Sequence, residues 1–195
     1  MFVRTKRLSL RPGWIEDAPA LAAAMGHEAV VRNLATAPWP YHVDNARDWL
    51  RAERGATTPL FLITTAEGGG PARIVGGMGL GPLGHNAYDL GYWITPDAWG
   101  LGYATEAVRA LIDTARHSLR IARLTAGHMT DNPASGAVLR KAGFRATGRI
   151  ESVHSLARGA TVPCQTYAID LSDCADGPCP DGTTDDEQMK LRLAA

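Results

Sequence analysis

The 195-residue chain carries no net charge: 20 lysines and arginines stand against 20 aspartates and glutamates. That balance excludes a broad electrostatic grip on nucleic acid or on an anionic membrane and leaves room only for a local basic patch. Cysteine is scarce, three in all, too few for a disulfide scaffold. Cys164 falls in a strand-like segment and reads as a buried thiol. Cys174 and Cys179 lie in a Gly/Pro/Asp-rich tail and, with no second ligand pair beside them, read as free thiols rather than a metal site. No apolar run approaches the roughly 20 residues of a membrane span. No apolar stretch follows the basic residues of MFVRTKRLSLRP, so no secretory signal is expected. What these absences leave is a soluble, cytoplasmic protein of one domain, long enough to bury a core of its own.

What is present is a mixture of strand and helix signals. RLSLRP (7–12) alternates apolar and polar residues and reads as a first strand. Asp17 stands at a helix-cap position with Pro19 in the first turn, and Asp44 is expected to cap a second helix ending near Gly55. PLFLITT (59–65), RIVGGMGL (73–80) and AYDLGYWI (87–94) read as strands, with a turn over 67–72. Ala104, Ala107, Val108, Leu111, Ile112 and Ala115 recur at helical spacing, the clearest helix in the chain. RLTAGHM (123–129) is a strand. Asp131 or Asn132 caps the helix PASGAVLRKA, which stops at Gly143. FRATGRIESV and TYAIDL (166–171) close as two strands, with SLARGATVPC (155–164) as the turn between them. Strands grouped in hairpins and interleaved with helices imply an α+β fold on a mixed, mostly antiparallel sheet. Residues 1–171 form the domain. From 172 to 195 the composition turns acidic and rich in glycine and proline, a tail expected to be irregular over 172–187.

WGLGYATEA (99–107) sits between the strand DLGYWI and that clearest helix. Gly100 and Gly102 remove side chains where a phosphate could approach, and the amides of residues 100–105 lie at the positive end of the helix dipole, a ready anion site. On these nine residues alone, a glycine-eased turn with no ligand is an equal reading. A dinucleotide fingerprint wants a third small residue three positions after Gly102, where Thr105 stands, and an acidic ribose partner about 20 residues on, where Arg120 stands. A P-loop wants Gly-Lys-Ser/Thr, which is not there.

The reading changes with DNPASGAVLRKAGF, which begins at Asp131. Together with DLGYWITPDAWGLGYATEA it resembles the GNAT acetyltransferase superfamily, in the branch of the RimJ/RimL ribosomal-protein N-terminal acetyltransferases. TKRLSLRP, the Asp17 region and WPYHVDNARDWL are similar to that branch as well, so the resemblance covers residues 4–171. One departure is Trp99, where the superfamily's loop usually opens with Gln or Arg.

The resemblance implies a GNAT fold and acetyl-CoA as donor, with no metal. The CoA pyrophosphate would rest on the amides of Gly100, Leu101, Gly102, Tyr103, Ala104 and Thr105. The strand ending at Ile94 would splay from strand 123–129, with pantetheine in the gap against Trp93 and Ile94. Asn132 would bond the pantetheine arm, or serve as a plain helix cap, and Lys141 would belong to the CoA site. The amide near Ile94 would polarise the thioester carbonyl, a preorganised donor of the kind that lowers a barrier by about 3 kcal/mol. The tyrosine acid that many members carry four residues before Gly-Phe is replaced by Leu139. Ser135, three residues after Asn132, matches the serine that serves the leaving thiolate in the RimL-like pattern. The glutamate base of that pattern, nineteen residues past the serine, falls on His154. Glu151, Asp89 and His128 are further candidates, and each of these residues also has a purely structural reading.

The expected reaction is direct attack of a primary amine on acetyl-CoA in a ternary complex. An α-amine of pKa about 8 is roughly one-tenth neutral at pH 7 and so asks less of a base than a lysine does. Trp39, Tyr41, His42 and Tyr92 are candidate walls for a peptide or small-molecule amine acceptor. A homodimer is compatible with this reading; nucleic acid and membrane are not expected partners. The alternative is an acyl-CoA sensor that keeps the cradle without the base.

Overall fold

The computed structural model describes residues 1–52, 55–66 and 72–172. The alternating RLSLRP segment forms Leu8–Arg11 (β2), with Leu8 and Leu10 buried. A short strand, Val3–Arg4 (β1), folds back on it with Val3 opposite Leu10. After a 3₁₀ turn at Ile15–Asp17 come the helices Ala18–Met25 (α1), Glu28–Val31 (α2) and Val43–Arg51 (α3). Asp17 occupies the α1 cap position, yet its carboxylate makes no capping bond to that helix. It accepts two hydrogen bonds from Arg11 at 2.7 Å and one from the Trp14 amide at 2.8 Å. The cap of α3 is His42 rather than Asp44, which lies inside the first turn; Asn45 Oδ1 accepts from the His42 amide at 2.8 Å. Helix α3 stops at Arg51, short of Gly55.

Leu60–Thr65 (β3), Arg73–Gly84 (β4) and Ala87–Ile94 (β5) form an antiparallel meander. β4 runs four residues beyond the expected 80, because the chain reverses only where Gly84, His85 and Asn86 all take positive φ. Tyr103–His117 (α4), Arg123–Met129 (β6), Pro133–Lys141 (α5), Arg145–Ser155 (β7) and Ala160–Asp170 (β8) complete the described chain. The turn between β7 and β8 is tighter than 155–164: it spans 156–159, with Gly159 at φ 58°. The tail from 173 onward, with Cys174 and Cys179, and most of the turn expected over 67–72 lie outside the described residues.

The sheet order is β1-β2-β3-β4-β5-β6-β8-β7. Neighbours pair antiparallel except β5 and β6, which run parallel. That parallel ladder is short, joining Ala87–Leu90 to Arg123–Ala126. Beyond it, residues 91–94 stay with β4 and residues 127–129 stay with β8, so β5 and β6 diverge. The two faces are covered differently. Leu90, Ile94, Leu124, Ala126 and Tyr167 pack with Val108 and Leu111 of α4 and Leu139 of α5. On the opposite face Leu62, Ile74 and Trp93 pack with Leu21 and Met25 of α1 and Ala46 of α3. Fully burying one leucine of this kind contributes about 2 kcal/mol.

Candidate active site

A cavity of about 1730 Å³ runs through the divergence of β5 and β6 and reaches both faces of the sheet. Its α4 end is the WGLGYATEA turn. Gly100 and Gly102 both adopt the left-handed conformation, φ 76° and 80°, in which a non-glycine residue is strained by about 1–2 kcal/mol. Gly102 is the cap of α4, and the first backbone bond of that helix is from the Glu106 amide to the Gly102 carbonyl, 3.1 Å. The amides ahead of Glu106 therefore point out of the helix end, where an anion gains from them and from the dipole. Gly100, Gly102, Tyr103, Ala104 and Thr105 line the cavity, and a Cβ on Gly100 would meet nothing within 4 Å. Leu101 is half exposed, and Trp99 donates from Nε1 to the Ile94 carbonyl at 2.7 Å, pinning the turn to the end of β5.

Behind the turn stands Arg7. Its Nη1 donates to the Leu101 carbonyl at 2.9 Å, its Nε to Glu106 at 2.8 Å, and its guanidinium lies 4.7 Å from the centre of the Tyr103 ring. Glu106 also accepts from Thr5 Oγ1 and from the Arg7 amide. Burial acts to raise the Glu106 carboxyl, but these hydrogen bonds and the Arg7 charge outweigh it and hold it below its ordinary value.

In the gap itself, the Thr95 amide donates to Val75 of β4 at 2.9 Å. Strand alternation therefore turns the Ile94 amide to the other edge of β5, into the divergence. Across the gap Asn132 is the N-terminal cap residue of α5, but its side chain makes no capping bond. Ser135, one turn into α5, shares a 2.7 Å hydrogen bond with the Tyr92 hydroxyl, which also contacts the Ser135 carbonyl at 3.1 Å. Burial, opposed by the Ser135 bond and reinforced by Tyr167, pushes Tyr92 up to about 12, so it stays a neutral hydroxyl at physiological pH. The sequence placed Tyr92 among the acceptor walls; the structure makes it the partner of Ser135. The alternation of AYDLGYWI already put Leu90, Tyr92 and Ile94 on one face, the signal that places Tyr92 on the α4–α5 side of the sheet. Lys141, the last residue of α5, lines the same cavity.

The opposite mouth is lined by the other face of the sheet and by α1–α3. Trp93 turns its side chain to that face, where it packs with α1 and α3 and closes over Gly77. Asp89, Thr125, Cys164, Glu151 and Val153 line it from four strands, with Asp89 accepting from Thr125 Oγ1 at 2.7 Å. Cys164 is half-buried rather than buried. Tyr41 stands here beside Asp48; burial and then that charge push its hydroxyl up to about 12. His128, on the α5 face of β6, holds its ring between the Met129 carbonyl (2.9 Å from Nδ1) and the Tyr167 hydroxyl.

Besides Leu101, three of the candidates are not brought to the cavity. His154 is exposed and, an odd number of residues from Glu151 on β7, points from the opposite face. Counting along a chain fixes a distance, and the pleat decides the side. Trp39 is 41% exposed and does not line the cavity. His42, exposed at the start of α3, does not line the cavity either. The Arg158 side chain, assigned to a turn, does more: it donates to both oxygens of Asp131 at 2.8 and 3.0 Å and to the Arg32 carbonyl at 2.6 Å, tying the β7–β8 hairpin to the start of α5 and to α2.

A glycine turn at a helix N-terminus beside two diverging parallel strands defines the architecture of an acyl-CoA N-acyltransferase. The family model described as "Acetyltransferase (GNAT) domain" matches residues 7–145. The chain belongs to the GNAT family and is an acetyl-CoA-dependent acyltransferase of that type. It is 27% identical over 176 residues to the uncharacterized N-acetyltransferase YoaA of Bacillus subtilis, covering 86% of this chain and 95% of that one. Its fold is shared with RimL, a ribosomal-protein alpha-N-acetyltransferase solved with coenzyme A (19% identity, 88% and 98% of the two chains, TM-score 0.72). It is shared also with Mycobacterium smegmatis RimJ, solved in complex with CoA-disulfide (22% identity, 87% and 84%, TM-score 0.71).

Proposed function

We propose that the chain transfers the acetyl group of acetyl-CoA directly to a primary amine, peptide or small molecule, in a ternary complex in the cytoplasm. The observation that carries this is the divergence of β5 from β6 beside the left-handed glycine turn. The residues present fit the donor. The amides of 100–105 take the pyrophosphate, the Ile94 amide faces the gap, and the Asn132 side chain is not consumed in capping.

Donor and acceptor meet from opposite faces of the sheet. The amine nitrogen forms a bond to the thioester carbon as the carbon–sulfur bond breaks. The Ile94 amide stabilises charge developing on the carbonyl oxygen. Ser135 hands its proton to the leaving thiolate and is replenished through Tyr92. The carboxylates of Asp89 and Glu151, on the acceptor face, receive the amine proton through water. The roughly one-tenth of an α-amine that is neutral at pH 7 makes such a water path sufficient.

Calorimetry with acetyl-CoA, followed by thiol release across a panel of peptides and amines, tests the proposal. No acetyl-CoA binding at high micromolar concentration overturns the donor. Binding with no thiol release from any acceptor overturns the transfer and leaves the acyl-CoA sensor.

A further inference from the structure

We infer that Arg7 is a positioning residue for the donor: it sets the orientation of the peptide plane between Leu101 and Gly102 and so aims an amide at the CoA pyrophosphate. This rests on the donor reading above. Gly102 has φ 80° and ψ 5°, and Gly100, on the other side of Leu101, has φ 76°. Glycine populates positive and negative φ about equally, so a half-turn of the plane between residues 101 and 102 meets little local steric resistance. Gly102, the glycine whose φ such a turn of the plane changes, therefore leaves this peptide free to present either its carbonyl or its N–H to the cavity. A carbonyl oxygen facing a pyrophosphate repels it, whereas an N–H binds it.

What decides between the two is Arg7, from the segment between β1 and β2. Its Nη1 holds the Leu101 carbonyl at 2.9 Å. In a trans peptide the C=O and the next N–H point in opposite directions, so a carbonyl held against Arg7 turns the Gly102 N–H away from Arg7. That opposite side is the cavity side: Gly100, Gly102, Ala104 and Thr105 line the cavity, and Arg7 and Leu101 do not. Arg7 is itself fixed. Glu106, in the first turn of the same helix, takes Nε at 2.8 Å and Nη2 at 2.7 Å, Thr5 and the Arg7 amide hold Glu106, and the Tyr103 ring stacks under the guanidinium. The fork of arginine is required, because one side chain must hold a carboxylate and a carbonyl at once. A lysine supplies the charge without that geometry. The Glu106 carboxylate, which alone would oppose an anion at this helix end, is neutralised in the same contact.

The test compares binding of CoA with binding of pantetheine, which lacks the pyrophosphate, by amide-detected NMR titration of the full chain. Arg7→Lys is expected to raise the Kd for CoA about tenfold while the Kd for pantetheine stays within about twofold. Glu106→Gln, which loosens the anchor of Arg7 and removes less, is expected to show the same selectivity at smaller amplitude and serves if Arg7→Lys does not fold. Equal losses for both ligands, the mark of a generally loosened site, overturn the inference, as does an unchanged Kd for CoA. In those cases binding by the unaltered protein leaves the donor reading standing. Failure of the unaltered protein to bind CoA removes both.

Discussion

Ser135 and Tyr92 are two hydroxyls 2.7 Å apart on the wall of the cavity, and the proposed reaction releases its thiolate beside them. Ser135→Ala is expected to lower kcat about 10²-fold or more, and Tyr92→Phe by less, with the Kd for acetyl-CoA little changed, as read by thiol release and calorimetry. Equal loss of binding would make the pair part of the donor site rather than the chemistry. His154→Ala is expected to leave turnover unchanged, because its side chain is exposed on the far face of β7. Glu151→Gln, on the cavity face of the same strand, lowers it. The reverse ranking in a side-by-side assay would restore the histidine. Legibility at this scale divided by chemistry. Ser135 and Asn132 were readable because the resemblance that points to them is carried by one short segment, DNPASGAVLRKAGF. The partnership with Tyr92 was not, because the two positions lie 43 residues apart.

Helix α5 pits two effects against each other. Replacing Gly136 by alanine improves helix propensity by about 1 kcal/mol. A Cβ there would sit 2.5 Å from His128 Nε2 and 3.1 Å from the Tyr167 hydroxyl. The His128 ring is held by the Met129 carbonyl and by Tyr167, so it cannot swing aside cheaply. Packing wins, and Gly136→Ala is expected to destabilise by about 1–2 kcal/mol in urea titration; a stabilised variant would show the ring to be mobile. At the first 3₁₀ turn, Arg11 holds the Asp17 carboxyl below its ordinary value, chiefly through their hydrogen bond. A depressed folded pKa means that the stabilisation is present above the unfolded value near 3.8 and is lost as pH falls through the folded one. Asp17→Asn is therefore expected to cost about 2 kcal/mol at pH 7, and the difference should disappear in strong acid. A gap between the two urea curves that stays constant with pH would show that the ion pair contributes nothing. Asp17 was legible as a cap position from Pro19 in the first turn after it. That its carboxylate serves Arg11 instead depended on the turn at 12–17, which brings it back to the end of β2.

Across the whole molecule, one gap opens to both faces of the sheet, and the gap exists because two parallel strands part after four paired residues. Ligand seated in that gap binds only the folded chain, so CoA at about a hundred times its Kd should add about 2.7 kcal/mol of stability, several degrees of Tm. No shift at saturating CoA would show that the gap does not hold the ligand. By itself the sequence determined the mixed sheet, the glycine turn at Gly100–Gly102 ahead of a helix and the position of Ser135 in the first turn of α5. Each of these is written in residues close together in the chain: a hydrophobic period, two glycines before a helix, a cap and its first turn. Only the tertiary structure decided which face of β7 meets the cavity, which hydroxyl reaches Ser135, and that Arg7 stands behind the turn. Those depend on pleat, register and strand order, which are set by the packing of segments far apart in the chain and leave no local trace in it.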